Sequence, residues 1–220
     1  MTRIYRYVVR YDAGAAPNPY GGCCSLAICK PSIRKTAQRG DWIVGLRSGQ
    51  PDHVIYVMRI DKCITFEAYW NDPAYEGKKP HACASSDNIY KPEANNSLVQ
   101  VPNKVHNQSD ITRDLSGHRV LVGTMYWYFG RNSPKLPIDL HHLIHKSQGH
   151  SVDINRRADD LQRLESWLSQ WPTGIHGSPI DSDRLRDLMQ PNSTELVDAI
   201  SVSSDFNTQK PRAQLRASCG

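Results

Sequence analysis

Apolar and polar positions alternate at the start of the chain. Tyr5, Tyr7, Val9 and Tyr11 share one side of an extended segment, and Ile4, Arg6, Val8 and Arg10 share the other, which predicts a strand with one basic face. Residues 12–22 (DAGAAPNPYGG) lose the period and read as a loop whose backbone can approach a ligand closely. Lys30-Pro31-Ser32 starts a short basic helix ending at Gly40, with Ile33 and Ala37 inward and Arg34, Lys35 and Arg39 outward. DWIVG (41–45) and HVIYVMRI (53–60) predict a hairpin. Phe66–Trp70 suits a short helix, residues 71–118 read as irregular excursions, and RVLVGTMYWYF (119–129) predicts one central strand. Leu136–Lys146 suits a helix, and Leu161, Leu164, Trp167, Leu168 and Trp171 recur at helical spacing across 153–171.

These elements describe an α+β fold, a small twisted sheet or partly closed barrel with a helix at its mouth. The expected organisation is one domain over 1–171 and a Pro-, Ser- and Asp-rich extension over 172–220, partly flexible, with one amphipathic piece at Arg184–Met189. No apolar run nears the roughly 20 residues of a membrane span, and the opening residues are too polar for a signal peptide. A cytoplasmic protein without membrane contact is expected, its six cysteines reduced.

Charge sharpens the picture. Residues 1–60 carry nine Lys/Arg against three Asp, a surplus of +6, whereas the remainder sums to −1. A polyanion partner is therefore expected at the leading segment. Arg34, Lys35 and Arg39 suit phosphates, and Trp42, Tyr56, Tyr69, Trp70 and Tyr90 suit base stacking, although an aromatic in a strand is ordinarily core.

DAGAAPNPY (12–20), CSLAICKPSIR (24–34), GDWIVG (40–45), FEAYWNDP (66–73), DNIY (87–90), YFGRNSPKLP (128–137) and Gln148-Gly149-His150 together resemble the second type of nucleotide-modification-associated domain. That resemblance implies base chemistry or recognition in nucleic acid, in a DNA-modification or phage-defence setting. GDWIVG before a strand also resembles the PUA and EVE superfamily, which implies a twisted, partly closed β-barrel with peripheral helices. The family motifs point to Asp12, Asn18, Lys30, Arg34, Asp41 and Trp42 as a pocket group.

Three chemistries follow. In the first, a modified base is held between rings, its polar edge read by Asp12, Asn18 or Asn88, the partner being nucleic acid, with DNA favoured over RNA, or else a free nucleotide. The second is an enzyme using Cys24 or Cys29 as nucleophile, or Asp12 as acid/base. Cys29 precedes a helix start near Arg34, and with no histidine in the first 52 residues, His150 of the shared QGH motif is the candidate base. The third is metal, through Cys24 and Cys29 or His141 and His145. No paired C-x-x-C pattern supports it, and neither metal nor cofactor is expected. Recognition is the leading reading and base modification the alternative.

Overall fold

In the computed structural model, which describes residues 2–95, 97–147, 149–153 and 159–182, the strands are β1 (Ile4–Val9), β2 (Cys24–Leu26), β3 (Trp42–Arg47), β4 (Gln50–Arg59), β5 (Lys62–Ile64), β6 (Tyr90–Pro92), β7 (Leu98–Gln100), β8 (Val120–Gly123), β9 (Tyr126–Tyr128), β10 (His150–Asp153) and β11 (Gly174–Ile175). The helices are α1 (Pro31–Thr36), α2 (Phe66–Asn71), α3 (Ile111–Leu115) and α4 (Asp160–Leu168), with short 3₁₀ segments of three to six residues between them. From residue 183 on, the extension expected over 172–220 to be partly flexible, with its Arg184–Met189 piece, lies outside the described residues.

Pairing produces an open six-stranded sheet in the order β10-β1-β3-β4-β9-β11, and a separate three-stranded sheet, β2-β8-β5, lies across one of its faces. β1 runs parallel to β3 and antiparallel to β10. Alternation decides the layers. Tyr5, Tyr7, Val9, Ile43, Tyr56 and Met58 meet Cys24, Leu26 and Leu121 of the smaller sheet, while Ile4, Trp42, Val44, Leu46 and Val57 meet Leu140, Leu143, Leu164, Trp167 and Leu168 on the other side. Each large apolar side chain sealed this way contributes about 1.5–3 kcal/mol. A third cluster, on the outer side of the small sheet, joins Cys29 and Ile28 to Phe66, Tyr69 and Tyr90.

The α+β class and the β3–β4 hairpin match the expectation. The barrel does not form: among the described residues the large sheet has free edges at β10 and β11, and the second sheet packs on its face instead of closing it. The stretch 119–129 is not one strand but two, β8 in the small sheet and β9 in the large one. The break falls at Gly123, where a Cβ would lie 2.2 Å from the Arg59 carbonyl, and at Thr124, whose N–H and hydroxyl both donate to Asp61 at 2.7 Å. Chain passing this corner changes sheets.

Candidate active site

Cys29 lies after β2 has ended and before α1 begins. Its φ is 57° and that of Lys30 is 39°, two successive non-glycine residues in the left-handed region, which costs about 1–3 kcal/mol each. Arg34 and Asp114 hold this turn. The fully buried Arg34 guanidinium donates from Nε to the Cys29 carbonyl at 2.8 Å, from Nη1 to the Arg119 carbonyl at 2.9 Å, and from Nη2 to the Asp114 carbonyl. The Cys29 N–H donates to Asp114 Oδ1 at 2.8 Å. The Cys29 N–H is thus tied directly to the excursion that carries α3, and its carbonyl through Arg34 of α1. Burial lowers the Arg34 pKa to about 10 against the pull of Asp114, so the group stays charged at neutral pH.

The same excursion supplies a histidine. Asn103 Oδ1 accepts the N–H of His106 at 2.8 Å, and the reciprocal cap between Asn107 and Asp110 then starts the turn that leads into α3. His106 Nε2 lies 3.2 Å from Cys29 Sγ, and His106 Nδ1 lies 2.5 Å from Asp114 Oδ2, which also accepts from the Tyr90 hydroxyl at 2.9 Å. Burial pushes the Asp114 pKa up, but the hydrogen bond and charge of His106, the Cys29 N–H and the Tyr90 hydroxyl outweigh it and hold the carboxyl below the usual carboxylate range. All three residues are buried.

Sulfur, imidazole and carboxylate therefore follow one another through the two ring nitrogens, the arrangement that lets a thiol pass its proton to an oriented base. Among the described residues they are also the one cluster with metal-ligating side chains close enough to share an ion. Chelation fits poorly, because sulfur and carboxylate address opposite nitrogens of one ring, which leaves Asp114 to orient the imidazole and not to join it at the ion. Cys29 is disulfide-bonded here, whereas Cys23, Cys24, Cys63 and Cys83 are free thiols. The expectation of reduced thiols is corrected at Cys29, and thiolate chemistry there belongs to the reduced protein.

A cavity of about 10 Å³, the size of one water, is walled by Cys29, Lys30, Tyr7, Val9, Arg10, Tyr11 and Ala16. Lys30 Nζ sits 4.6 Å from the centre of the Tyr7 ring. Its pKa is lowered to about 8 by burial, helped by repulsion from Arg10 and Arg113.

The other expected site residues are dispersed. Trp42 is 1% exposed and stacks on Trp127 at 6.2 Å, while Tyr56, Tyr69 and Tyr90 are likewise sealed, so none of these rings offers a face to a base. Trp70 is half-buried, with Lys79 Nζ 4.5 Å from the ring centre. Asp41 accepts a two-pronged contact from Arg3 and caps the turn at Gln38. Lys35 and Arg39 are exposed near the end of α1, away from the buried Arg34.

Asn18 and Asn88 are buried structural groups. Asn18 accepts from the buried Lys78, beside Ser25, Asp87 and Tyr69, which bond one another, and Asn88 donates to the Tyr69 carbonyl. Asp12 accepts from the Tyr128 hydroxyl and the Ile180 N–H, and burial raises its pKa despite both. Cys24 is sealed between the sheets, where burial pushes its thiol well up, the opposite of activation. His150 stacks on Tyr5, 6.1 Å between centres. The base that meets Cys29 is His106, which lies in the stretch read from sequence as irregular. Its signal was available: a histidine eight residues before an aspartate, flanked by Asn caps.

No curated protein and no solved structure matches the chain. Among the described residues no helix is long and apolar enough to cross a membrane. The model of the family described as nucleotide modification associated domain 2 matches residues 1–185, a span that contains the strained turn at Cys29, His106 and Asp114. By that match over most of its length, the chain belongs to the nucleotide modification associated domain 2 family.

Proposed function

We propose that this protein is a thiol-dependent enzyme acting on a nucleotide or a nucleobase, with Cys29 as nucleophile, His106 as its base and Asp114 as the group that orients the imidazole. The observation that carries this reading is the continuous 3.2 Å and 2.5 Å chain from Sγ to carboxylate, built on a strained turn. Membership of a family associated with nucleotide modification supports a nucleotide or nucleobase as the substrate class. In the reduced protein the Cys29 thiol gives its proton to His106 Nε2 as sulfur adds to an electrophilic carbon of the substrate. The proton then returns from His106 to the departing group, and a water that gives its proton to His106 displaces sulfur from that carbon, the thiolate taking this proton back from His106. The cavity admits a water and not a base, so Arg10, Tyr11 and Lys30 must swing outward for a substrate to enter.

Sealing of Trp42, Tyr69 and Tyr90 withdraws the stacking surfaces that recognition without chemistry would use, which favours the enzyme reading. The test is to incubate reduced protein with nucleoside triphosphates, DNA and RNA, and to follow intact mass and substrate composition. A substrate-derived adduct or product that Cys29→Ser abolishes, and that His106→Gln slows about 100-fold or more, is expected. Undiminished conversion by Cys29→Ser, or nucleic acid bound and recovered unchanged by both proteins, would overturn the reading.

A further inference from the structure

Three separated segments deliver cations to one end of the large sheet. Because β1 and β3 run parallel, with Val9 opposite Arg47, Arg10 emerges beside Arg47. β10 runs antiparallel to β1, with Tyr7 opposite His150, so Gly149, Ser147 and Lys146 lie at the same end. Together with Val8, Ser48, Gly49, Pro51, Ser147 and Gly149, these three side chains wall a cavity of about 310 Å³. Among the described residues no carboxylate lines it and none forms an ion pair with Arg10, Arg47 or Lys146.

Three like charges around one concavity repel one another, and a compact polyanion relieves that repulsion. The volume lies at the small end of ligand sites and suits a phosphate chain in preference to a whole nucleotide. Arg47 is half-buried and braced by donation to Ser133 Oγ at 3.0 Å, and its planar fork can take a phosphate at two points. Arg10 is the link: it lines this cavity and also the small one containing Cys29 and Lys30.

We propose that the Arg10–Arg47–Lys146 cavity binds the phosphate chain of a free nucleotide, whose remaining part then points past Arg10 toward Cys29. This rests on the thiol-enzyme reading for its direction but not for the anion site itself. Ser48, Gly49 and Pro51 on one side and Lys146, Ser147 and Gly149 on the other bound about 310 Å³, room for a short phosphate tail and not for a run of polymer strand.

The test uses a fluorescent nucleoside triphosphate, with inorganic pyrophosphate and the unphosphorylated nucleoside as competitors, on the full chain. Pyrophosphate should displace the probe and the nucleoside should not. Arg47→Ala/Lys146→Ala should weaken both triphosphate and pyrophosphate about 10-fold or more, while Lys62→Ala, an exposed cation on β5, leaves them unchanged. Arg47→Lys, which keeps the charge but loses the fork, should fall between. Equal affinity in the double variant and wild type, or binding of oligonucleotides that pyrophosphate fails to displace, overturns the proposal. No thiol enters this readout, so loss of Cys29 chemistry with phosphate binding intact sinks only the enzyme reading, and the converse sinks only the anion site.

Discussion

His106 Nδ1 lies 2.5 Å from Asp114 Oδ2, and that carboxylate reaches back through Oδ1 to the N–H of Cys29 at 2.8 Å. One aspartate therefore fixes both the ring and the turn that the ring serves.

Asp114→Asn should cost about 1–3 kcal/mol, because the Cys29 N–H, the Tyr90 hydroxyl and the His106 ring lose the ionised acceptor they share. The sign of the pH dependence follows from the depressed carboxyl. Asp114 contributes stability in full above the unfolded carboxylate value of about 3.9, and this is lost as pH falls through its lower folded value. Denaturant titrations across acid pH should show that limb in the wild type and a shallower one in Asp114→Asn.

Arg34 and Gly117 should be energetically coupled. A Cβ on Gly117 would stand 2.5 Å from Arg34 Cζ and under 3 Å from both terminal nitrogens, so Gly117→Ala must displace the guanidinium from its three carbonyls. Each single change, Gly117→Ala and Arg34→Met, should destabilise by about 2–4 kcal/mol. The double variant should be more stable than the sum predicts by about 1 kcal/mol or more, since the second change removes an interaction already broken. Strict additivity in denaturation midpoints would show that Gly117 does not seat the guanidinium.

Lys30 should be the amine that loses its proton early. With a folded pKa of about 8 against roughly 10.4 unfolded, the unfolded chain holds more protons between these values, so the cost of charging Lys30 is present in full below pH 8 and fades as pH rises. Acylation followed by peptide mass spectrometry should show Lys30 labelling with a midpoint near pH 8, and this midpoint should vanish in denaturant. Lys30→Met should flatten the rise in stability between pH 8 and 10.

The legible part of the fold was its periodic part. Alternation in 4–9 and the amphipathic spacing of Leu164, Trp167 and Leu168 find the large sheet and its covering helix, because a face buried along a regular element leaves a period in sequence. The corner at Gly123–Thr124 was hidden, since β8 and β9 are both apolar and the change of sheet depends on the distant Arg59 carbonyl and Asp61. At the site, Cys29 and the helix start that follows it were visible from CKPSIR, whereas the left-handed turn at Cys29 and Lys30 was not. His106 and Asp114 lie in a segment without period, where caps and a buried arginine, not an apolar face, determine the shape. The aromatics went to the core because strand alternation, not ligand contact, sets which way Trp42 points.

The most direct measurement is the alkylation rate of individual cysteines in the reduced protein, read by peptide mass spectrometry for wild type and His106→Gln. A base within reach of Sγ predicts that Cys29 reacts faster than the sealed Cys24 and that His106→Gln slows Cys29 about 10-fold or more while leaving Cys24 unchanged. A Cys29 rate indifferent to His106, or no greater than that of Cys24, would contradict a catalytic thiol in this fold.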